Sequence, residues 1–455
     1  MVSKMLSPAI AVSAALALLS LTTCSPAETK APKGGYFEMD GKEVVLVGSS
    51  EHYGALVNAD FDFIRYLDET QACGLNYVRI FSGSYRETIG SFGIFENTLA
   101  PLNVSFIAPW GNSQEGRYDL TKWNEEWVNR LHSFVSEADK RGITVELTLF
   151  CPFYDDRIWE VSPMNPANHV NGVGQKDTCF RADSDLLPYQ KALARKCAEE
   201  LRDSRNVFFE IINEPYQAKV EDAWQREIID ELVRVEAAFP HKHRIAVNVA
   251  NGDGEIENPH AAVSVFQFHY AKPEAALRNL KPGRVIGDDE TGFAGKGDFV
   301  YRREAWEFLL AGGGLFNHLD YSFTRDHEDG TADWRAPGGG GRMLRKQLGM
   351  LREMLQAMPL SRCGPRLDLI AGGPPKNCRV SVFGDEKHGW LIYLAGKAPE
   401  TLRVNLGKGN WNGSWGNPGE CLLMPVLNLK HGGGVREFDV PFFSEDCVLN
   451  LKPVP

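Results

Sequence analysis

Positive charge is scarce in this sequence. Its 455 residues carry 49 Lys and Arg against 60 Asp and Glu, a net charge of −11 at neutral pH. No basic run reverses that excess, which argues against nucleic acid and anionic membrane surfaces as partners, since either would repel it. The nine cysteines form no Cys-x-x-Cys pair, which argues against thiolate metal sites; they read as buried thiols or a few disulfides. The histidines form neither HxH on a strand nor HExxH on a helix. No glycine fingerprint follows the first strand candidate, which disfavours a doubly wound dinucleotide fold. The run GGGG at 338–341 precedes a helical pattern but lacks the Lys-Ser/Thr of a phosphate loop, and reads as a flexible hinge. No cofactor and no metal is therefore expected. Internal repeats and low-complexity linkers are missing as well, and nothing in the sequence sets an oligomeric state.

A membrane-spanning run is also lacking. The N-terminal apolar stretch from Ala9 to Leu21 is too short for a comfortable span and follows Lys4, the pattern of a secretory signal. It ends in LTTC, residues 21–24, which resembles a bacterial lipoprotein box. Residues 1–24 are thus expected to be a signal peptide of lipoprotein type, with Cys24 carrying a lipid anchor. The mature protein is then exported to the periplasm or cell surface.

From about Gly34 onwards short apolar strands alternate with amphipathic helices. Strand candidates are Val44–Gly48, Tyr77–Phe81, Thr144–Phe150, Val207–Ile212, Ile245–Val249, Val263–Phe268, Arg284–Gly287 and Gly314–Leu319. Helical spacing recurs between them, as in Trp123, Trp127, Leu131, Phe134 and Val135. Parallel strands need crossover connections, so this alternation points to an α/β fold, a (β/α)8 TIM barrel over residues 34–360. Past Met358 the helical spacing gives way to short β-like runs broken by Gly, Pro and Asn, so residues 365–455 read as a small all-β sandwich domain. Trp411 and Trp415 there read as core or barrel-docking residues. Three aperiodic segments, 83–120, 151–184 and 322–341, each follow a strand and so fall on the C-terminal rim, where barrels build their sites. Their many aromatic residues suit sugar faces, and their length points to a walled pocket.

The segment FEIINEP, residues 209–215, holds two glutamates. On a strand Glu210 and Glu214 share a face about 13 Å apart. Glu214 stands at the carboxyl end beside Pro215, and Glu210 lies at least a layer deeper as a buried, hydrogen-bonded support. The two cannot flank one glycosidic bond, because a retaining pair needs about 5–5.5 Å and an inverting pair about 6.5–9.5 Å. Glu214 therefore needs a partner from another strand.

Ending the fourth of eight β/α units, this segment resembles the strand-4 signature of clan A glycoside hydrolases, the cellulase-like group related to family 5. The resemblance implies that Glu214 is the general acid/base and that Asn213 contacts the sugar hydroxyl beside the reacting carbon. The clan's nucleophile ends strand 7, where RVIGDDETGF offers Asp288, Asp289 and Glu290; Glu290, followed by Thr-Gly, fits best, with Asp288 on the same face as runner-up. GLNYVRIF resembles the strand-2 signature whose arginine keeps the nucleophile ionised, here Arg79. His269 and Tyr270 in FQFHYA resemble the strand-6 pair that orients the nucleophile or touches sugar. EHYG places His52 after strand 1, near the sugar. Strand 3 lacks the histidine of cellulase-type members and strand 8 lacks their tryptophan, for which Asn317, Asp320 or Tyr321 is the substitute. The resemblance, over roughly residues 34–360, implies a retaining glycoside hydrolase acting on O-glycosidic, β-configured bonds of a poly- or oligosaccharide. The rival is an exported sugar-binding protein on the same barrel without activity.

Overall fold

Runs rich in Val, Ile and Phe fold into parallel strands that amphipathic helices return to the start of the next strand. The computed structural model of the protein describes residues 34–39, 41–425 and 427–454, so the expected signal peptide and Cys24 lie outside the described residues. A closed barrel of parallel strands is formed by β1 (Leu46–Ser50), β2 (Tyr77–Phe81), β3 (Thr144–Phe150), β4 (Val207–Ile212), β5 (Ile245–Asn251), β6 (Val263–His269), β7 (Val285–Thr291) and β8 (Leu315–Leu319). The outer helices include α1 (Phe63–Ala72), α2 (Glu125–Lys140), α3 (Leu187–Glu200), α4 (Asp222–Glu236), α5 (Pro273–Asn279), α6 (Asp298–Leu310) and α7 (Arg342–Gln356).

The expected first strand is displaced by two residues. Lys42–Val44 pairs antiparallel with Phe37–Met39 in a short hairpin. Phe37 of that hairpin packs with Leu46, Tyr77, Phe208, Val265 and Leu315, closing the N-terminal end of the barrel with apolar bulk. Trp123 is not helical as its spacing suggested. It ends a strand, Tyr118–Trp123, paired with Trp110–Asn112 inside the loop after β2, and Asn124 then caps α2 by accepting from the Glu126 amide.

The GGGG run is not a hinge but a close-packing device. A Cβ on Gly338 would collide with the Gly292 carbonyl, one on Gly339 with the Lys296 carbonyl, and one on Gly340 with the Asp320 carboxylate. These glycines let the loop after β8 lie against the loop after β7.

The C-terminal residues form antiparallel sheets. The larger contains β9 (Cys378–Asp385), β10 (Gly389–Gly396), β12 (Gly409–Asn417), β13 (Leu427–His431) and β15 (Asp446–Val454); β11 (Thr401–Leu406) pairs with β14 (Gly434–Asp439). Leu402, Val404 and Phe438 of the pair pack with Trp390, Ile392, Trp411, Trp415 and Leu449 of the larger sheet. Both tryptophans are core residues, 3% and 5% exposed. Barrel and sheets join in one compact unit. Trp306 of α6 stacks on Tyr393 with ring centroids 5.0 Å apart, and Arg302 donates to both Asp446 oxygens at 2.8 and 3.0 Å. Among the described residues Cys73, Cys151, Cys179, Cys197, Cys378, Cys421 and Cys447 are free thiols. Among the described residues no helix is long and apolar enough to cross a membrane.

Close packing at Gly338 has a measurable consequence. Gly338→Ala should lower stability by about 1–3 kcal/mol through overpacking, read from chemical denaturation. Gly297→Ala, at a position with open space around its Cβ, should be close to neutral. A neutral Gly338→Ala would restore the hinge reading.

Candidate active site

The barrel interior is built of polar layers above the apolar floor. Side chains alternate along each strand, so Tyr77, Glu146 and Gln267 meet in one layer: the Tyr77 hydroxyl donates to Glu146, and Gln267 Nε2 donates to both its oxygens at 3.0 Å. Burial first, then the charges of Asp289 and Glu210, push the Glu146 carboxyl well above the usual range. One layer up, Arg79 is completely buried. Its Nη2 donates to both Glu210 oxygens at 2.7 Å and to Asn213 Oδ1 at 2.7 Å; its Nη1 donates to Glu290 Oε2 at 3.3 Å. Its Nε also lies 3.4 Å from Asp289 Oδ2. Thr148 and Asn248 complete the shell of Glu210.

At the rim, β4 ends where Pro215 cannot continue the ladder. Glu214 there takes φ 38°, in the left-handed region, and its amide donates to Asn248 Oδ1 at 2.8 Å. The Tyr154 hydroxyl donates to Glu214 Oε2 at 2.8 Å and accepts from Asn213 Nδ2 at 2.8 Å. His269 Nδ1 lies 3.2 Å from Glu214 Oε1. Burial disfavours charge on Glu214, but the His269 ring and then the Tyr154 hydroxyl outweigh it and draw its carboxyl down to about 2.

Glu290 comes from β7 by an irregular route. The β6–β7 register runs Phe268 to Asp288 and then His269 to Glu290, so Asp289 is the extra residue of a bulge. Strict alternation therefore fails here. Asp289 and Glu290 both reach Arg79, at 3.4 and 3.3 Å, whereas Asp288 makes no ion pair with it; the oxygens of Asp288, like those of Asp289, have no hydrogen-bond partner among the described residues. Glu290 Oε2 accepts from the Tyr53 hydroxyl at 3.1 Å, and Oε1 accepts from the Tyr270 hydroxyl at 2.8 Å. One oxygen of Glu214 and one of Glu290 lie within 4.8 Å of each other.

Both glutamates open onto a pocket lined by His52, Tyr53, Glu87, Phe92, Tyr154, Asn213, Tyr270 and Phe293, among others. Of the residues picked out in the sequence, Glu214, Glu290, Asn213, Tyr270 and His52 line this pocket. Arg79 and His269 do not: both are fully buried beneath it and touch carboxylates. Tyr321 sits behind the wall, against His52 and Phe293. Asn317 and Asp320 serve the barrel, through Ser50 and Arg345, and supply no platform. Two exposed rings line the pocket at the rim, Phe92 and Phe293, the latter three residues beyond Glu290 and unremarked in the sequence.

Glu87 is missed as a site residue in the sequence, whereas Asp289 is offered there only as an alternative to Glu290, Tyr154 only among the rim-loop aromatics and Tyr53 only as part of EHYG. Tyr53 adjoins His52 in EHYG, but only the turn explains it: Glu51 accepts from the amides of Gly54 and Ala55, and Tyr53 is thrown into the left-handed region at φ 62°. Glu87 binds His52 Nε2 at 3.2 Å. Outside the barrel, Cys363, Asp385 and His388 bring donor atoms within 4.8 Å, a donor set of metal type.

The family model described as Cellulase (glycosyl hydrolase family 5) matches residues 37–270, a span that includes Arg79, Asn213, Glu214, His269 and Tyr270. Among solved structures the chain is similar to a glycoside hydrolase family 5 protein from Bacteroides vulgatus ATCC 8482, with TM-score 0.60 and 14% identity over 92% of this chain and 91% of that one. It is also similar to the catalytic domain of GH30 xylanase C from Talaromyces cellulolyticus, with TM-score 0.53 and 11% identity over 93% of this chain and 99% of that one. No curated protein matches the sequence. At these identities the structural likeness shows the fold.

The Glu214 environment fixes a sign for acid stability. Its folded carboxyl lies below the unfolded value, so it contributes stability that is complete above the ordinary carboxylate range and lost as pH falls towards about 2. Glu214→Gln should therefore lose less stability than the wild type between about pH 5 and pH 3, measured as the shift of the urea midpoint. Identical losses would show that the pairing with His269 is absent in solution.

Proposed function

Because the chain belongs to glycosyl hydrolase family 5, the cellulase family, we propose that it is a retaining glycoside hydrolase acting on β-linked poly- or oligosaccharide. The observation that carries this reading is the pair of rim carboxylates facing one pocket with oxygens within 4.8 Å. Oxygens that close agree with the ~5–5.5 Å between the carboxyl groups of a retaining pair.

In this scheme Glu290 is the nucleophile. Two tyrosine hydroxyls and Arg79 hold its oxygens, so its attacking lone pair is aimed before the sugar arrives. Glu214, in its protonated form, gives the proton to the departing glycosidic oxygen while Glu290 bonds to the anomeric carbon. Glu214 then takes a proton from water as the ester is hydrolysed. Loss of the Glu290 charge in the ester lowers the proton affinity of Glu214, which suits its change from acid to base. Asn213, whose amide is fixed between Arg79 and Tyr154, contacts the sugar hydroxyl next to the reacting carbon. Phe92, Phe293 and Tyr270 give the pocket the aromatic faces that sugar rings stack on. Export through residues 1–24, with lipid attached at Cys24, would place this chemistry outside the cytoplasm, where polysaccharide is met.

A panel of plant and microbial polysaccharides, read by reducing-end release and product size, tests the activity. Glu214→Gln and Glu290→Gln should each reduce turnover of the substrate so found by at least about 10³-fold while circular dichroism stays unchanged. A 2-deoxy-2-fluoro glycoside of the matching sugar should label the peptide that contains Glu290. Binding of oligosaccharides without release of reducing ends from any of them would make the protein a sugar-binding barrel instead.

A further inference from the structure

To act as an acid Glu214 must carry a proton, yet at rest both of its oxygens face donors, Tyr154 on Oε2 and His269 on Oε1. His269 is fully buried, and its ring is enclosed by carboxylates. Nδ1 lies 3.2 Å from Glu214 Oε1 and 3.7 Å from Glu290 Oε1; Nε2 lies 3.3 Å from Asp289 Oδ1. A neutral imidazole has one N–H and one lone pair, so it would turn a lone pair on a carboxylate at one edge. The Nε2–Asp289 approach is an ion-pair contact rather than an aligned hydrogen bond, so the imidazolium is favoured because carboxylates stand within 3.3 Å of both ring nitrogens. Asp289 is placed for this by the bulge in β7, and its own charge is secured by Arg79 Nε at 3.4 Å. The other charged or titratable groups around the ring include Glu210 from β4, with an oxygen within 4.8 Å of a ring nitrogen, Asp288 from β7, and Tyr270 next in sequence.

We propose that His269, held as a cation by Asp289, stores the proton that Glu214 delivers. This rests on the roles of Glu214 and Glu290 given above. In glycosylation the N–H bond at Nδ1 breaks and an O–H bond forms at Glu214 Oε1, leaving a neutral ring. That proton passes to the glycosidic oxygen as the C–O bond to the anomeric carbon breaks and Glu290 forms its ester. In deglycosylation water gives a proton to Glu214 as its oxygen bonds to the anomeric carbon. Glu214 returns the proton to Nδ1 as the Glu290 carboxylate is regenerated. Protons and charge balance over the cycle, and the ring is neutral from the transfer of its proton to Glu214 until that proton returns as the Glu290 carboxylate is regenerated.

The electrostatics agree with the geometry. Burial alone would lower the proton affinity of His269, but Asp289 and then Glu290 hold it well above the ordinary histidine value. Burial likewise opposes charge on Asp289, and Arg79 and His269 hold it below the usual carboxylate value nonetheless. Asp289 is thus a positioning residue that acts through His269.

The test is a 15N NMR titration of the full chain labelled at histidine, with His269→Gln used to assign the resonance. Both ring nitrogens of His269 should carry protons at about pH 7.5, and Asp289→Asn should bring the midpoint down by at least about 1 pH unit. For wild type and Asp289→Asn, kcat/KM on glycosides with poor leaving groups should show the same shift of its alkaline limb. Dinitrophenyl glycosides, whose leaving group needs no proton, should not follow it, so the ratio of the two substrates should change by about tenfold. A neutral ring at about pH 7 in the wild type overturns the proposal, and this readout decides even if Asp289→Asn fails to fold. So does an unmoved midpoint in a folded Asp289→Asn. The titration needs no turnover, so an inactive wild type would refute the roles of Glu214 and Glu290 and leave the proton's location to the spectrum.

Discussion

The guanidinium of Arg79 sits where the barrel interior would otherwise hold uncompensated negative charge. Glu210, Asp289 and Glu290 all reach it within 3.4 Å, and Glu210 and Asp289 are completely buried. Removing one partner from a buried ion pair costs about 3–5 kcal/mol, because the remaining charge stays desolvated. A lysine could not replace Arg79, since a single ammonium lacks the planar fork that addresses carboxylates on different strands. Everything at the rim depends on this arrangement. Asn213 is fixed by it, Glu290 is partly oriented by it, and Asp289 keeps the charge that faces His269.

The rim itself is strained. Tyr53, Glu214 and Tyr270 all take positive φ, at 62°, 38° and 51°. Such backbone costs about 1–3 kcal/mol per residue and persists only where the surroundings over-determine it. Here those surroundings are specific: the Glu51 turn beneath Tyr53, the Asn248 amide group on Glu214, and the Tyr270 amide, which donates to the Glu290 carbonyl at 2.7 Å. Two of these residues place a hydroxyl on Glu290, and the third is Glu214. The strain is spent on aiming groups from β1, β4 and β6 at one point above the barrel axis.

The alternation of strands and helices, and with it the barrel, was legible because parallel strands buried on both faces read as apolar runs of the right length. The depth difference between Glu210 and Glu214 followed from strand geometry alone. Period-two reasoning broke at Asp288–Glu290, because a bulge cannot be seen in a sequence and it reverses which acids face inward. It broke again at Tyr53, where the side chain's direction is set by a turn held together by Glu51. His269 was recognised as belonging to the site but not as lying beneath it, since burial depth is a property of the whole barrel. The strand Gly409–Asn417 escaped notice because glycine and asparagine hide its pairing, and the GGGG run was misread because close packing and flexibility select the same residue.

The account stands on Glu290 and Glu214 working as a retaining pair from opposite sides of one bond. The most direct measurement is the configuration of the first-formed product, followed by 1H NMR of the anomeric proton before mutarotation. Retention of the β-anomer is the predicted result. An α-anomer appearing first would mean inversion, and would contradict the assignment of Glu290 as a nucleophile.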